Sequence, residues 1–320
     1  MTELGKFPVR DEIRAAESGH GYALRMASAN GLNGLADVKK MLGKTRFAVL
    51  DAADAGEISR WFGAEPLRLA LALGHTGIGS EPEAYELGGL RLSRSYFINR
   101  SQPRICCACL AKDGYCRLAW ELCVVTTCSL HSTTLCQACP NCGQALRWDR
   151  PHLSQCRCGW VLGSVACETP VAEEIDVACW IERAFRMDAR PSPTTPLGRL
   201  LDPLSLDAGL HILSALASVK HGRTRHATSI QPQLRKRNSL ASAREAIANA
   251  AVALDQLARG RQGHWRVPVS AMELLAEACA SSYAAADRQL AISILASLRC
   301  KPATANWGSR FPQTSQLPLL

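Results

Sequence analysis

Eight residues between Cys106 and Cys158 have the types and spacing of metal ligands. Cys106 and Cys109 are spaced C-x2-C, and Cys128 and His131 are spaced C-x2-H. Cys139 and Cys142 repeat C-x2-C, and Cys156 and Cys158 are spaced C-x-C. A two-residue gap lets a tight turn aim two ligand atoms at one ion, and two such half-sites complete a tetrahedron. Read in sequence order, Cys106, Cys109, Cys128 and His131 hold one ion, and Cys139, Cys142, Cys156 and Cys158 hold a second. An interleaved grouping has the same spacing. Either grouping gives four protein ligands per ion and no open position, so two zinc ions with a structural rather than catalytic role are expected. Gly143 and Gly159 each follow a ligand, where a chain folding back around metal favours glycine. Cys107 and Cys136 are set aside because they break the regular pairing, although Cys136 makes a C-x-x-C of its own with Cys139. Cys116 and Cys123 are expected in the core.

Competing uses of these cysteines fit less well. Eleven of the 15 lie in this one segment. Disulfides belong to oxidising compartments, whereas Met1 to Arg10 holds no apolar signal stretch and no apolar run is long enough to cross a bilayer. A cytoplasmic protein with no membrane span is expected. A thioredoxin-like centre needs one C-x-x-C beside a βαβ unit, not four half-sites. An imidazole ligand and separate knuckles favour zinc over an iron–sulfur cluster. Cys167, Cys179, Cys279 and Cys300 are scattered and read as small buried hydrophobes.

Signs of catalysis are weak. Gly43-Lys44-Thr45 is like the end of a phosphate-binding loop, but Val38 stands where a glycine is needed. Lys44 therefore reads as an exposed lysine after a helix stop. No H-E-x-x-H or G-x-S-x-G occurs, and His20, His75 and His211 read as structural or exposed. Neither catalytic nor cofactor-binding residues are assigned beyond the zinc ligands, and a non-enzyme is expected. The net charge is +9, of which residues 201–320 carry +7, with 14 basic against 7 acidic side chains. Lys220, Arg223, Arg225, Arg235, Lys236 and Arg237 lie in a stretch almost free of acids. They are the candidate nucleic-acid or partner-binding patch; a solvated loop has the same composition. His221 and His226 would add charge below about pH 6.5.

Around this centre the pattern is mainly α. Short stripes ending at glycines give helices over Tyr22 to Asn30 (Tyr22, Met26, Ala29), at Leu35, Val38 and Leu42, at Ile58, Trp61 and Phe62, and from Leu67 to Leu73. Their tight spacing suits a helix-turn-helix bundle over 1–100, with an irregular linker and a short strand in 75–100. The double zinc-knuckle, or zinc-ribbon, domain takes 101–165. An acidic, exposed linker with one short helix at 175–187 takes 166–200, and its Pro191 to Pro196 stretch suggests a domain boundary. A C-terminal helical domain takes 201–305. It has a stripe at Leu210, Leu213 and Leu216, capping boxes at Ser242/Glu245 and Ser270/Glu273, and a last helix through Ile292, Leu295 and Leu298. Residues 306–320 read as a loose tail. The fold class is thus helix-turn-helix bundles flanking a double zinc site.

The zinc segment resembles the TniQ family of transposition proteins. The resemblance runs through Arg104-Ile105-Cys106, Cys109-Leu110, Asp113-Gly114-Tyr115, Arg117, Trp120, Leu122, Cys128, His131 and Leu135. It continues to Cys139-Pro140-Asn141-Cys142-Gly143, Leu146 and Cys156-Arg157-Cys158-Gly159. Leu24-Arg25-Met26-Ala27 with Asn30-Gly31-Leu32 is similar to the family's first helix-turn-helix. In place of the proline that often follows the first ligand of each knuckle, Cys107 and Ser129 stand here, which removes no ligand. The resemblance covers roughly residues 5–165. It implies an adapter in DNA transposition that links a target-recognition complex, in some transposons a CRISPR effector with its guide RNA, to an AAA+ ATPase regulator of the transposase. It also implies a homodimer in some members. The rival reading is a zinc-binding, DNA-binding transcription regulator acting alone, which would bind duplex tightly and selectively. A nuclease or other enzyme is a third, marked by turnover lost on substituting one carboxylate.

Overall fold

The computed structural model describes residues 5–78, 81–164, 168–185, 192–221, 239–260 and 265–299. Helices α1 (Gly19–Ala29), α2 (Gly34–Met41), α3 (Ala55–Phe62) and α4 (Pro66–Leu73) form the N-terminal bundle. Ser18 caps α1 by accepting the Gly21 N–H, and Gly63 ends α3 in the left-handed conformation (φ 97°). Tyr22, Leu24, Met26, Leu35, Val38, Ile58, Trp61 and Phe62 are buried together, whereas Ala29 is exposed. Lys44 is not a free surface lysine. Its ammonium pairs with Asp54 and Asp51 and pins the loop after α2.

Residues 75–100 depart from the expected linker. Strands β1 (His75–Ile78), β2 (Glu81–Leu87) and β3 (Leu90–Leu92) form an antiparallel sheet with His75 opposite Glu86 and Tyr85 opposite Leu92. Gly88 and Gly89, both with positive φ, make the two-residue turn that joins β2 to β3. That turn type matches the twist of the paired strands and needs residues tolerant of positive φ.

The central segment carries helix α5 (Cys107–Lys112) and the two-residue strands β4 (Thr127–Cys128) and β5 (Thr133–Thr134). Helix α6 (Ala172–Ala184) starts earlier than expected and is not an exposed linker helix. It buries Val177, Trp180 and Ile181, together with the acids Glu174, Asp176 and Glu182. Each acid has a partner that makes burial tolerable. Glu174 accepts from Thr126 and Arg244, Asp176 from the N–H groups of Thr194 and Thr195, and Glu182 pairs at 2.8 Å with Arg117. The proline-rich stretch leads directly into α7 (Pro196–Leu201), which Thr195 caps.

Helix α8 (Leu206–Ser218) is buried on nearly every side. Helices α9 (Leu240–Ala258), α10 (Val269–Ser281) and α11 (Ala285–Arg299) pack against it. Strands β6 (Lys220–His221) and β7 (Trp265–Arg266) pair beside them. Neither expected capping box forms. Ser239 caps α9 by accepting the Ser242 N–H at 3.1 Å, so Ser242 lies inside the helix. Helix α10 begins after Pro268 with no side-chain cap, which puts Ser270 in its first turn. On α11 the buried stripe is Ala291, Ile294 and Leu298, and Ile292 is exposed. Cys116, Cys123 and Cys179 are buried and Cys279 half-buried, whereas Cys167 and Cys300 lie outside the described residues. Among the described residues, no helix is long and apolar enough to cross a membrane.

His211 joins β3 to the C-terminal helices. Its Nε2 is 2.7 Å from Ser93 Oγ and 3.6 Å from Asp207, and its Nδ1 is 3.5 Å from Glu277, which also holds Arg94. The Ser–His–carboxylate order is that of a hydrolase, but Asp207 accepts the Ser93 N–H at 2.8 Å, a backbone donor that an oxyanion hole could have used. The cluster is a strut. Burial lowers the His211 pKa, against the opposing pull of Asp207 and Glu277. The unfolded chain therefore takes up this proton first, and stability falls as the pH drops below the ordinary imidazole value near 6.5. Urea unfolding of wild type between about pH 7 and 5 should lose stability with a slope approaching ~1.4 kcal/mol per pH unit more than His211→Gln. Parallel slopes would remove His211 from the account.

Candidate metal centre

One helix turn and one short hairpin build the first ligand group. Cys106 stands just before α5, where its sulfur accepts the Cys109 N–H at 3.5 Å. One turn of helix thus carries both thiols of the first half-site. Cys128 ends β4, and His131 lies in the turn to β5, where Ser132 takes a positive φ of 47°. His131 Nδ1 lies 3.5 Å from Cys106 Sγ, 3.3 Å from Cys109 Sγ and 3.6 Å from Cys128 Sγ, and Cys109 and Cys128 are 3.6 Å apart. In the second group Cys139 and Cys158 are 3.7 Å apart, and Cys142 and Cys156 are 3.8 Å apart. Gly143 and Gly159 (φ 69° and 85°) donate back to the carbonyls of Cys139 and Cys156 and close the two knuckle turns.

These separations decide between the uses of cysteine. A disulfide places sulfurs about 2.05 Å apart. A tetrahedral ion with metal–sulfur bonds near 2.3 Å has edges of about 3.8 Å. The sulfurs sit at the second spacing. Within each group all ligand atoms lie within 4.8 Å of one another, so the sequential grouping is the one the fold assembles and each group could hold a metal ion. The thiols are also electrostatically crowded. Hydrogen bonds from Cys109 and Cys128 push the Cys106 pKa down, and hydrogen bonding to Cys106 pushes that of Cys109 up, because two adjacent thiolates repel. A cation lets all of them ionise.

Burial separates the two groups. Cys106, Cys109 and Cys128 are buried, whereas Cys142 and Cys158 of the second group are exposed. Cys107 and Cys136 stand outside both, as expected; the Cys107 thiol hydrogen-bonds Cys136 and lowers its pKa to about 7. Of the basic patch, Lys220 lies in β6, while Arg223, Arg225, Arg235, Lys236 and Arg237 fall outside the described residues, as does His226.

Several polar residues that hold the ligands were not assigned from spacing. Arg104 is buried, and its Nη1 donates to the carbonyls of Cys123 and Val125 at 2.6 and 2.7 Å. It thereby ties the strand entering Cys106 to the strand approaching Cys128. Arg150 is also buried and donates to the carbonyls of Arg147, His152 and Leu153, bracing the loop between the second group's half-sites. An arginine before a ligand pair was the available signal for Arg104. Nothing local marks Arg150.

The family model described as TniQ matches residues 8–135. Over residues 8–135, less than half of its length, the chain is similar to the TniQ family. The matched segment contains the N-terminal bundle, the sheet and the whole first ligand group, and it ends before Cys139. A search of curated proteins finds no match. The match points to the target-selection step of transposition.

The two groups should respond differently to substitution. Cys106→Ser should lose one metal equivalent and unfold the centre together with the N-terminal bundle. Cys142→Ser should lose one equivalent and keep most of the helical circular dichroism. Elemental analysis with circular dichroism checks both. Arg104→Ala leaves two buried carbonyls without a charged donor and should cost about 3 kcal/mol in urea unfolding.

Proposed function

We propose that this chain is a non-catalytic adapter in DNA transposition. It joins a target-recognition complex, such as a CRISPR effector with its guide RNA, to an AAA+ ATPase regulator of the transposase. The observation that carries this reading is the TniQ match over 8–135, which encloses the complete first ligand group. The two ligand groups hold two structural zinc ions. The donor sets support zinc: three thiolates with one imidazole, and four thiolates, each complete without solvent. In this reading the chain divides as the sequence suggests, into a helix-turn-helix bundle, a zinc domain and C-terminal helices, and the helical surfaces receive the partners. The basic run from Lys220 to Arg237 is a further contact to nucleic acid or partner, and a second copy of the chain is a candidate partner.

The test is co-purification of the zinc-loaded protein with a transposition AAA+ ATPase and with a target-recognition complex, with and without DNA. The adapter captures both and binds duplex DNA weakly and without sequence preference when alone. A stand-alone transcription regulator binds a defined duplex tightly and captures neither, and that result would replace this reading. Purified protein should contain close to two zinc equivalents per chain.

A further inference from the structure

The end of α2, the loop after it and the second ligand group meet on one face, with Asp149 at the centre. Its Oδ2 lies 2.9 Å from Nη2 of Arg157 and 3.8 Å from Nε of Arg46. The Lys39 ammonium reaches the same place. It donates to the Arg46 carbonyl at 3.1 Å and is attracted by Asp149. Two guanidinium groups therefore share one carboxylate, and the Lys39 ammonium stands near them. The Asp149 side chain is 11% exposed, but those of Arg46 and Arg157 are 62% and 50% exposed. Lys40 adds an exposed ammonium to the last turn of α2. Phe47, next to Arg46, is 85% exposed. The nearby acid Asp37 is half-buried and accepts the Asn33 N–H. Lys44 is held by Asp51 and Asp54.

A covered carboxylate beneath two guanidinium groups fixes where they point without cancelling their charge. The face is also held together from below. Gly34 at the start of α2 lies so close to the Arg150 carbonyl that a Cβ would come within 1.9 Å of it, and Ser28 donates to the Pro151 carbonyl at 3.1 Å. A rigid excess of positive charge beside a bare aromatic ring suits a phosphodiester backbone with one base stacked on the ring. An acidic peptide would meet the same cations. A ring standing almost wholly in water, however, offers a flat face to a base rather than an apolar groove to a side chain.

We propose that Lys39, Lys40, Arg46 and Arg157, with Phe47, form a nucleic-acid-binding surface shared by the first helix pair and the second metal knuckle. It is separate from the basic run after Lys220 and does not depend on the adapter reading. Binding of full-length, metal-loaded protein to labelled duplex DNA and to single-stranded RNA tests it, by anisotropy between about 50 and 200 mM salt. Arg46→Gln with Arg157→Gln should weaken binding about tenfold at low salt and flatten the salt slope by one to two units, roughly one per lost phosphate contact. Lys40→Gln with Arg46→Gln, both outside the knuckle, should act in the same direction if the first pair disturbs metal content. Phe47→Ala should cost about tenfold on single-stranded RNA and less on duplex, because a stacked base needs an unpaired strand. A loss confined to one nucleic acid identifies the source of the backbone. Wild-type affinity and slope in both charge variants, or no binding by wild type, overturns the proposal. ATPase capture by these variants should stay at the wild-type level, which keeps this failure distinct from failure of the adapter reading.

Discussion

Thiolates repel one another, and the centre of this chain gathers seven cysteine sulfurs and one imidazole into two clusters, within each of which the ligand atoms all lie within 4.8 Å of one another. Backbone pairing does little to hold that segment in shape. Its strands are two residues long, and the remaining pairings are isolated bridges such as Ile105 to Cys136 and Gln155 to Val161. Such short ladders do not offset the conformational entropy of ordering several tens of residues. A shared cation would do so, because it turns repulsion into coordination and closes loops from Cys106 to His131 and from Cys139 to Cys158 in one step.

Order at the ligands reaches the helices through buried polar contacts rather than through backbone pairing. Glu121, in a short 3-10 turn between the half-sites of the first group, accepts from Ser18 at the head of α1 and lies 3.3 Å from His20. His20 in turn stacks on Trp148 beside the second group. Arg117 and Glu182 form a two-pronged buried pair between that segment and α6. Burial alone would lower the Arg117 pKa, but the Glu182 carboxylate reverses the sign and keeps the guanidinium charged. Replacing only one member of such a pair strands a buried charge, at a cost of about 3–5 kcal/mol. The mutual dependence of ligands and helices therefore lives in a few long-range pairs.

That division explains what could be read from the sequence. Ligand spacing is local, because C-x2-C and C-x-C encode a turn, and both four-residue groups that the fold brings together were legible. So were the helices stopped by Gly63 and Gly260. The β2–β3 hairpin was missed although Gly88-Gly89 announces it, since β3 is three residues long and shows too little alternation to register. The capping boxes failed for another reason. Ser239, Ser242 and Ser270 all carry the right chemistry, and only the tertiary packing of α9 and α10 chooses where each helix begins. The buried acids of α6 were read as exposed because their partners Arg117, Arg244 and Thr194 lie 18 to 70 residues away. No window along the chain contains both members of such a pair.

The family match ends at residue 135, yet the physical unit does not. The matched α1 and α2 have their outer contacts in the unmatched loop from Trp148 to Pro151: stacking on His20, the close approach at Gly34 and the bond from Ser28. Thr126 and Thr127, which lead into Cys128, hydrogen-bond to Glu174 of α6, and Glu174 is itself held by Arg244 of α9. Ser93, at the end of β3, is gripped by Asp207 and His211 of α8. The buried apolar residues likewise run as one cluster from Ile13 to Leu298. A segment cut at residue 135 would leave Thr126 without Glu174 and Arg117 without Glu182. The matched segment is thus a sequence unit whose stability is supplied in part by residues outside it.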